Sequence, residues 1–184
     1  NLQSFDALSD SIIDNFDNGA WIGNADTIVE YAWTTQIGST PSYPYTGPSS
    51  GNGGSGTYLY VEQDNGNPGD IAIITSRCYN LTTAINPKLG FWHHKSGADQ
   101  GNLLVRAISS DTTIILGNIS GQTQLPGNNP WLFQQYDLDA FIGSSLVLEF
   151  EAQKTSTGSN GDIGLDDINV IDVPQFFIAD AVGC

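Results

Sequence analysis

The sequence predicts an all-β chain folded as a two-sheet antiparallel β-sandwich, and three observations carry that expectation. Short runs of β-branched and aromatic residues alternate with a period of two. Gly, Asn, Asp and Pro punctuate them at close intervals. Outside the first dozen residues there is almost no stripe of 3.6-residue period. Reading along the chain, Leu2 to Asn15 is compatible with a short helix or a leading linker. Thr57-Tyr58-Leu59-Tyr60-Val61 alternates and stops at the turn-rich Asp64-Asn65-Gly66-Asn67-Pro68-Gly69. Ile71 to Ile74, Lys88 to His94, Asn102 to Ala107 and Thr113 to Leu116 follow as strands, then Trp131 to Leu138, Ser145 to Ala152 and Ile163 to Val170. About eight to ten strands at such spacing fit a sandwich. Ser39 to Ser55 is rich in Gly, Ser and Pro, which by composition is a flexible loop. A loop of that length inside a compact domain is usually functional or mobile, so a site near a cation is expected there.

Length and charge narrow the function classes. A chain of 184 residues, 39% of them hydrophobic, suits one domain with a core. Five basic residues stand against twenty acidic ones, for a net charge of -15. Nucleic acid requires clustered Lys and Arg, so it is excluded as a partner. Anionic lipid surfaces are repelled for the same reason. No apolar run approaches the roughly 20 residues of a spanning helix, so membrane insertion is not expected. Clustered carboxylates can hold Ca²⁺, whereas scattered ones simply keep a protein soluble. The chain starts at Asn1 and has no Met, which predicts a mature or excised piece of a secreted precursor. Cys78 and Cys184 lack metal-thiolate spacing, and in a secreted protein one disulfide between them would tie down the C-terminus.

Several patches stand in an order that resembles the MAM family, named after meprin, the A5 protein and receptor tyrosine phosphatase mu. They are Asn15-Phe16-Asp17-Asn18-Gly19 with Trp21 and Trp33, Gly56-Thr57-Tyr58-Leu59-Tyr60-Val61, and Gly69-Asp70-Ile71-Ala72-Ile73-Ile74-Thr75-Ser76. Leu89-Gly90-Phe91-Trp92-His93-His94 leads on to Gly101-Asn102-Leu103-Leu104-Val105, and Phe150-Glu151-Ala152 leads to Gly161-Asp162-Ile163-Gly164-Leu165-Asp166-Asp167-Ile168. The set covers roughly Asp14 to Asp172. It is also similar to the cleaved-adhesin domains of bacterial surface proteases. The resemblance implies jelly-roll topology over 14–172, with 1–13 as a leading segment or linker and 173–184 as a C-terminal tail. This chain departs from the family pattern at Leu89, where members carry a Cys, and at Ser50, where many carry an Asp.

Asp166 and Asp167 are neighbours in a predicted strand, so period two sends their side chains to opposite faces. Whichever faces inward needs a cation or backbone N–H donors, because a buried carboxylate is costly alone. The resemblance implies a structural Ca²⁺ or Na⁺ near this segment, held by Asp17 and Asp167 with Asp166, Asn52 and Ser50. The competing reading is that these acids cap turns. His93 and His94 are adjacent, point apart and cannot share a metal. No GxSxG or HExxH pattern accompanies them, so they are structural and the chain is expected to be non-catalytic. Trp33, Tyr43, Tyr45, Trp92, Trp131 and Tyr136 are candidate stacking platforms for sugars. Core packing competes, above all for Trp92. Tyr43 and Tyr45 flank Pro44 in the polar loop and are the freest. The reading is thus an adhesion or protein-interaction module, secreted or at the cell surface, engaging a protein or a glycan. The alternative is a carbohydrate-binding module of a secreted polysaccharide-degrading enzyme, which the acidic, Lys-poor composition would place in a marine bacterium.

Overall fold

The computed structural model describes residues 12–14, 22–24, 31–127 and 130–172. They form two six-stranded sheets, facing each other as an antiparallel sandwich of jelly-roll topology. Sheet I runs in the order β10 (Leu132–Asp137), β7 (Pro87–His94), β12 (Ile163–Asp172), β4 (Thr57–Val61) and β3 (Trp33–Ile37). In it, β1 (Ile12–Asp14) also pairs with the C-terminal half of β12. Sheet II runs β2 (Ile22–Asn24), β5 (Ile71–Thr75), β11 (Ser145–Gln153), β8 (Asn102–Ser109) and β9 (Thr113–Ser120), with β6 (Tyr79–Asn80) against β11. From β10 onward the chain changes sheet at every strand.

The eight strands expected from alternation are all present. The described part of the Leu2–Asn15 segment is the strand β1, not a helix. Alternation did not flag β2, β3 and β6, which have only three, five and two residues. Two single-turn 3₁₀ segments, Asn52–Gly54 and Asp139–Phe141, are the only helical elements among the described residues.

Period two sets the core. Leu103, Val105 and Ala107 of β8 and Leu146, Leu148, Phe150 and Ala152 of β11 are buried from one side, Leu89 and Phe91 of β7 from the other. Phe91 meets Phe150 edge to face, with centroids 5.1 Å apart. Each large side chain so buried contributes about 1.5–3 kcal/mol. On β12 the alternation changes phase: Ile163 and Leu165 point inward, then Ile168 and Val170 do. A β-bulge between Asp166 and Asn169 inserts the extra residue. Asp167 sits at its centre with φ of 46°, the left-handed conformation that Asp tolerates better than most residues.

The 39–55 segment is folded against the outer face of sheet I. Thr40 N–H donates to Pro48 O at 3.1 Å and closes its base. Beneath it Tyr58, Tyr60 and Trp131 form a second aromatic cluster, with Trp92 packed alongside. Tyr58 and Trp131 meet edge to face at 5.5 Å. The Tyr58 hydroxyl donates to Gly38 O at 2.8 Å, so its polar tip is satisfied. Gly164 of β12 lets the indole lie close, since a Cβ there would come within 2.9 Å of Trp131.

Candidate functional site

The bulge on β12 and the 39–55 loop bring together four of the five residues expected to hold a cation. Asp166 is buried and its Oδ2 accepts the backbone N–H of Asn52 at 2.8 Å. Its Oδ1 accepts the N–H of Asp167, also at 2.8 Å. Asp167 Oδ2 accepts the Asn52 side-chain amide at 2.8 Å. Two positions back, Ser50 offers its carbonyl to the Trp131 indole N–H at 3.0 Å. Between them, Gly51 approaches so closely that a Cβ would lie 2.5 Å from Ser55 O and 3.1 Å from Asp166 Oδ2. Asp17, the fifth, lies outside the described residues.

This geometry corrects the expectation of opposite faces. The left-handed turn at Asp167 aims both carboxylates at Asn52, on the side away from the core. The donors they meet are N–H groups, the alternative that the sequence left open. Among the described residues no three His, Cys, Asp or Glu side chains cluster to hold a metal. A carboxylate offers about four lone-pair sites, so these N–H bonds fasten the loop without exhausting the oxygens. Through these bonds the group clamps the loop to the strand.

Orphaned acceptors lie elsewhere. Asp162, fully buried, accepts the Gln63 N–H at 3.1 Å through Oδ1. Its Oδ2 and the Oε2 of buried Glu62 make no hydrogen bond of strict geometry among the described residues, but the Glu62 carboxyl and the Thr40 hydroxyl lie within hydrogen-bonding reach of the Asp162 carboxyl. Burial raises the Asp162 carboxyl well above the ordinary carboxylate range, and the neighbouring Glu62 adds to the shift. Thr46 Oγ1 receives the Asp162 N–H at 2.8 Å and donates to Ser96 O at 2.7 Å. Two buried carboxyls so close together share a proton or require a counter-charge. Sequence reasoning placed Asp162 in this segment without foreseeing its pairing with Glu62.

The aromatic candidates separate by burial. Trp33 packs against the core and donates its indole N–H to Ala72 O at 3.0 Å. Trp131 is buried under the loop, and Tyr136 packs on Phe91 at 6.1 Å. Tyr43 is half-buried, while Tyr45 is 72% exposed. Trp92 is half-buried rather than in the main core, with Phe133 of the neighbouring strand at 5.4 Å. Next to it, Trp131 and the Pro48–Gly54 loop border a half-open cavity of about 500 Å³. His94 packs edge-on to Trp131 at 5.6 Å, and His93 is buried on the opposite face. Neither histidine lines the cavity. Cys78 is exposed just before β6, and Cys184 lies outside the described residues. No helix among the described residues is long and apolar enough to cross a membrane.

Comparison with known proteins agrees with this fold. Human meprin A subunit beta is 27% identical over 124 residues, covering 64% of this chain and 16% of the relative. The chain thus spans a small part of that protein's length. Among solved structures, the K1 cleaved adhesin domain of Lys-gingipain from Porphyromonas gingivalis W83 superposes with a TM-score of 0.58 at 18% identity, covering 90% of this chain and 99% of that one. A cyclase from Fischerella sp. TAU in complex with 4-(1H-indol-3-yl)butan-2-one superposes with a TM-score of 0.53 at 13% identity, covering 91% and 90%. At those identities the likeness is one of fold alone. The sequence profile of the MAM domain, meprin/A5/mu, matches residues 15–174, from just after β1 to beyond the bulged strand β12, and on that match the chain belongs to the MAM domain family.

Proposed function

We propose that this chain works outside the cell as an adhesion module that pairs with a second copy of itself through the uncharged lateral edge of the sandwich. One observation carries the reading. In a chain of net charge -15, residues 112–136 contain no charged side chain. They include β9 and β10, which end sheets II and I on the same side, and they expose Ile115, Leu125 and Phe133. β9 has no Lys or Pro to blunt its free backbone edge, the usual protection against pairing. Two such acidic copies repel each other except where neither carries charge. Antiparallel β9–β9 contact about a two-fold axis satisfies both conditions.

Beads coated with the chain are expected to aggregate in suspension. Ile115→Lys combined with Leu125→Lys should abolish aggregation without shifting the melting temperature. Aggregation unchanged in the double variant would refute the edge, and no aggregation of wild-type beads would refute self-pairing.

In the same reading a structural Ca²⁺ or Na⁺ is held by Asp162 and Glu62, where it would neutralise two buried carboxylates. The support is the burial of two adjacent carboxyls and the raised pKa of Asp162. A second reading, a carbohydrate-binding module of a secreted enzyme, is favoured by the exposed Tyr45 ring and by the aromatic-walled cavity at Trp92.

A further inference from the structure

The cavity beside Trp92 stands out from the rest of the molecule by its chemistry. Despite the net charge of -15, all its lining residues are uncharged. An anionic ligand would find no Lys or Arg there, and a cation no carboxylate on its wall. Trp92 forms one side, and the exposed Phe133 ring, tilted 55° to it at 5.4 Å, extends the apolar platform. The loop contributes a polar part of the lining: Ser49, Asn52 and the backbone of Gly53 and Gly54, where a Cβ would meet nothing within 4 Å. That part is held in place before any ligand arrives. Asn52 is bonded to both Asp166 and Asp167, and Ser50 O is bonded to Trp131. A preformed site avoids the ordering cost that weakens binding to mobile loops.

An aromatic face in one cavity with an uncharged hydrogen-bonding lining matches a pyranose, whose C–H face is apolar and whose edge carries hydroxyls. An extended peptide fits less well. β7, which carries Trp92, is paired on both sides by β10 and β12, so no backbone edge is free to add a strand. We infer that the cavity between Trp92 and the Ser49–Gly54 loop binds a neutral sugar residue of an extracellular glycan, stacked on the Trp92 indole. Trp131 is a wall of this site and Asn52 a positioning residue, because each acts by fixing the loop. The inference rests on the carbohydrate reading and gives it a location, distinct from Tyr45.

The test is isothermal titration of the chain with neutral hexasaccharides of glucose, xylose, mannose and N-acetylglucosamine. Alginate and a proline-rich decapeptide serve as comparisons. At least one neutral hexasaccharide is expected to bind. Trp92→Ala should weaken it at least tenfold, Trp92→Phe should retain most of the affinity, and Tyr45→Ala should change it less than twofold. Circular dichroism of each variant establishes that the fold is intact. Binding kept in Trp92→Ala but lost in Tyr45→Ala would overturn this site and leave the carbohydrate reading standing. No binding of any neutral hexasaccharide overturns both, and binding of alginate or the peptide alone overturns the ligand class.

Discussion

The side-chain amide of Asn52 donates to Asp167 Oδ2 at 2.8 Å, joining residues 115 positions apart. With the Asn52 backbone N–H on Asp166, it makes one asparagine the point where a glycine-rich loop is fastened to the bulged strand. The clamp has consequences that differ from those of an ion site.

Asp166→Ala removes the acceptor for two N–H groups in a buried position. The expected loss is about 2–3 kcal/mol of unfolding free energy, read from urea denaturation. The same loss should appear in EDTA and in millimolar Ca²⁺. A penalty present only with Ca²⁺ would assign Asp166 the role of ion ligand.

At Asp167 the backbone conformation is as important as the carboxylate. Asp167→Asn keeps an acceptor and a tolerance for positive φ, so its melting temperature should stay near wild type. Asp167→Val forces a β-branched residue into the left-handed region and should cost about 2 kcal/mol. Equal stabilities for the two variants would show that φ is not the constraint.

Asp162 should report the cation. Millimolar Ca²⁺ is expected to raise the wild-type melting temperature over EDTA, as any ligand of the native state must. Asp162→Asn keeps an acceptor for the Gln63 N–H but removes a buried charge. In EDTA near pH 8 it should match or exceed wild-type stability, by about 1–2 kcal/mol at most, while losing the Ca²⁺ increment. An undiminished increment in the variant would move the ion elsewhere.

His93 gives the fold a dependence on acid. Burial, with help from the charge of Lys95, lowers its pKa from 6.5 to about 4. The folded state then binds fewer protons than the unfolded state between those values. Its contribution is complete above about pH 6.5 and is lost as pH falls towards 4, roughly 2–3 kcal/mol in all. His93→Leu does not titrate there. The stability of wild type relative to this variant should therefore fall between pH 7 and pH 4 in urea titrations, and a constant difference would contradict the shift.

Much of the sandwich was legible because its strands are half-buried, and half-burial writes itself as alternation. Leu103, Val105 and Ala107 inward of Asn102, Leu104 and Arg106 make such a pattern. β3 escaped because it is an edge strand with only Trp33 and Gln36 partly covered. The clamp was legible as a set of residues but not as an arrangement. Alternation assumes an unbroken pleat, although the three-residue step from Leu165 to Ile168, between apolar pairs of period two, is the trace that the bulge leaves in the sequence. The loop misled for a related reason. Its glycines and serines have little apolar surface of their own, yet the carbonyl of Ser50 caps Trp131, a contact that composition does not encode. Trp92 was expected in the core because large aromatics usually are, and only the third dimension shows that the loop stops short of covering it.

The bulge at Asp167 also acts as a frame marker for β12. Up to Leu165 the odd-numbered positions are read by the core, and from Ile168 onward the even-numbered ones are. Deleting this one residue would leave an unbroken pleat, with Ile168 and Val170 still facing the core and Asn169 still opposite Gly90. What would go is the offset itself, and with it the carboxylate that reaches Asn52, so the strand would survive while the loop lost one of its two fastenings.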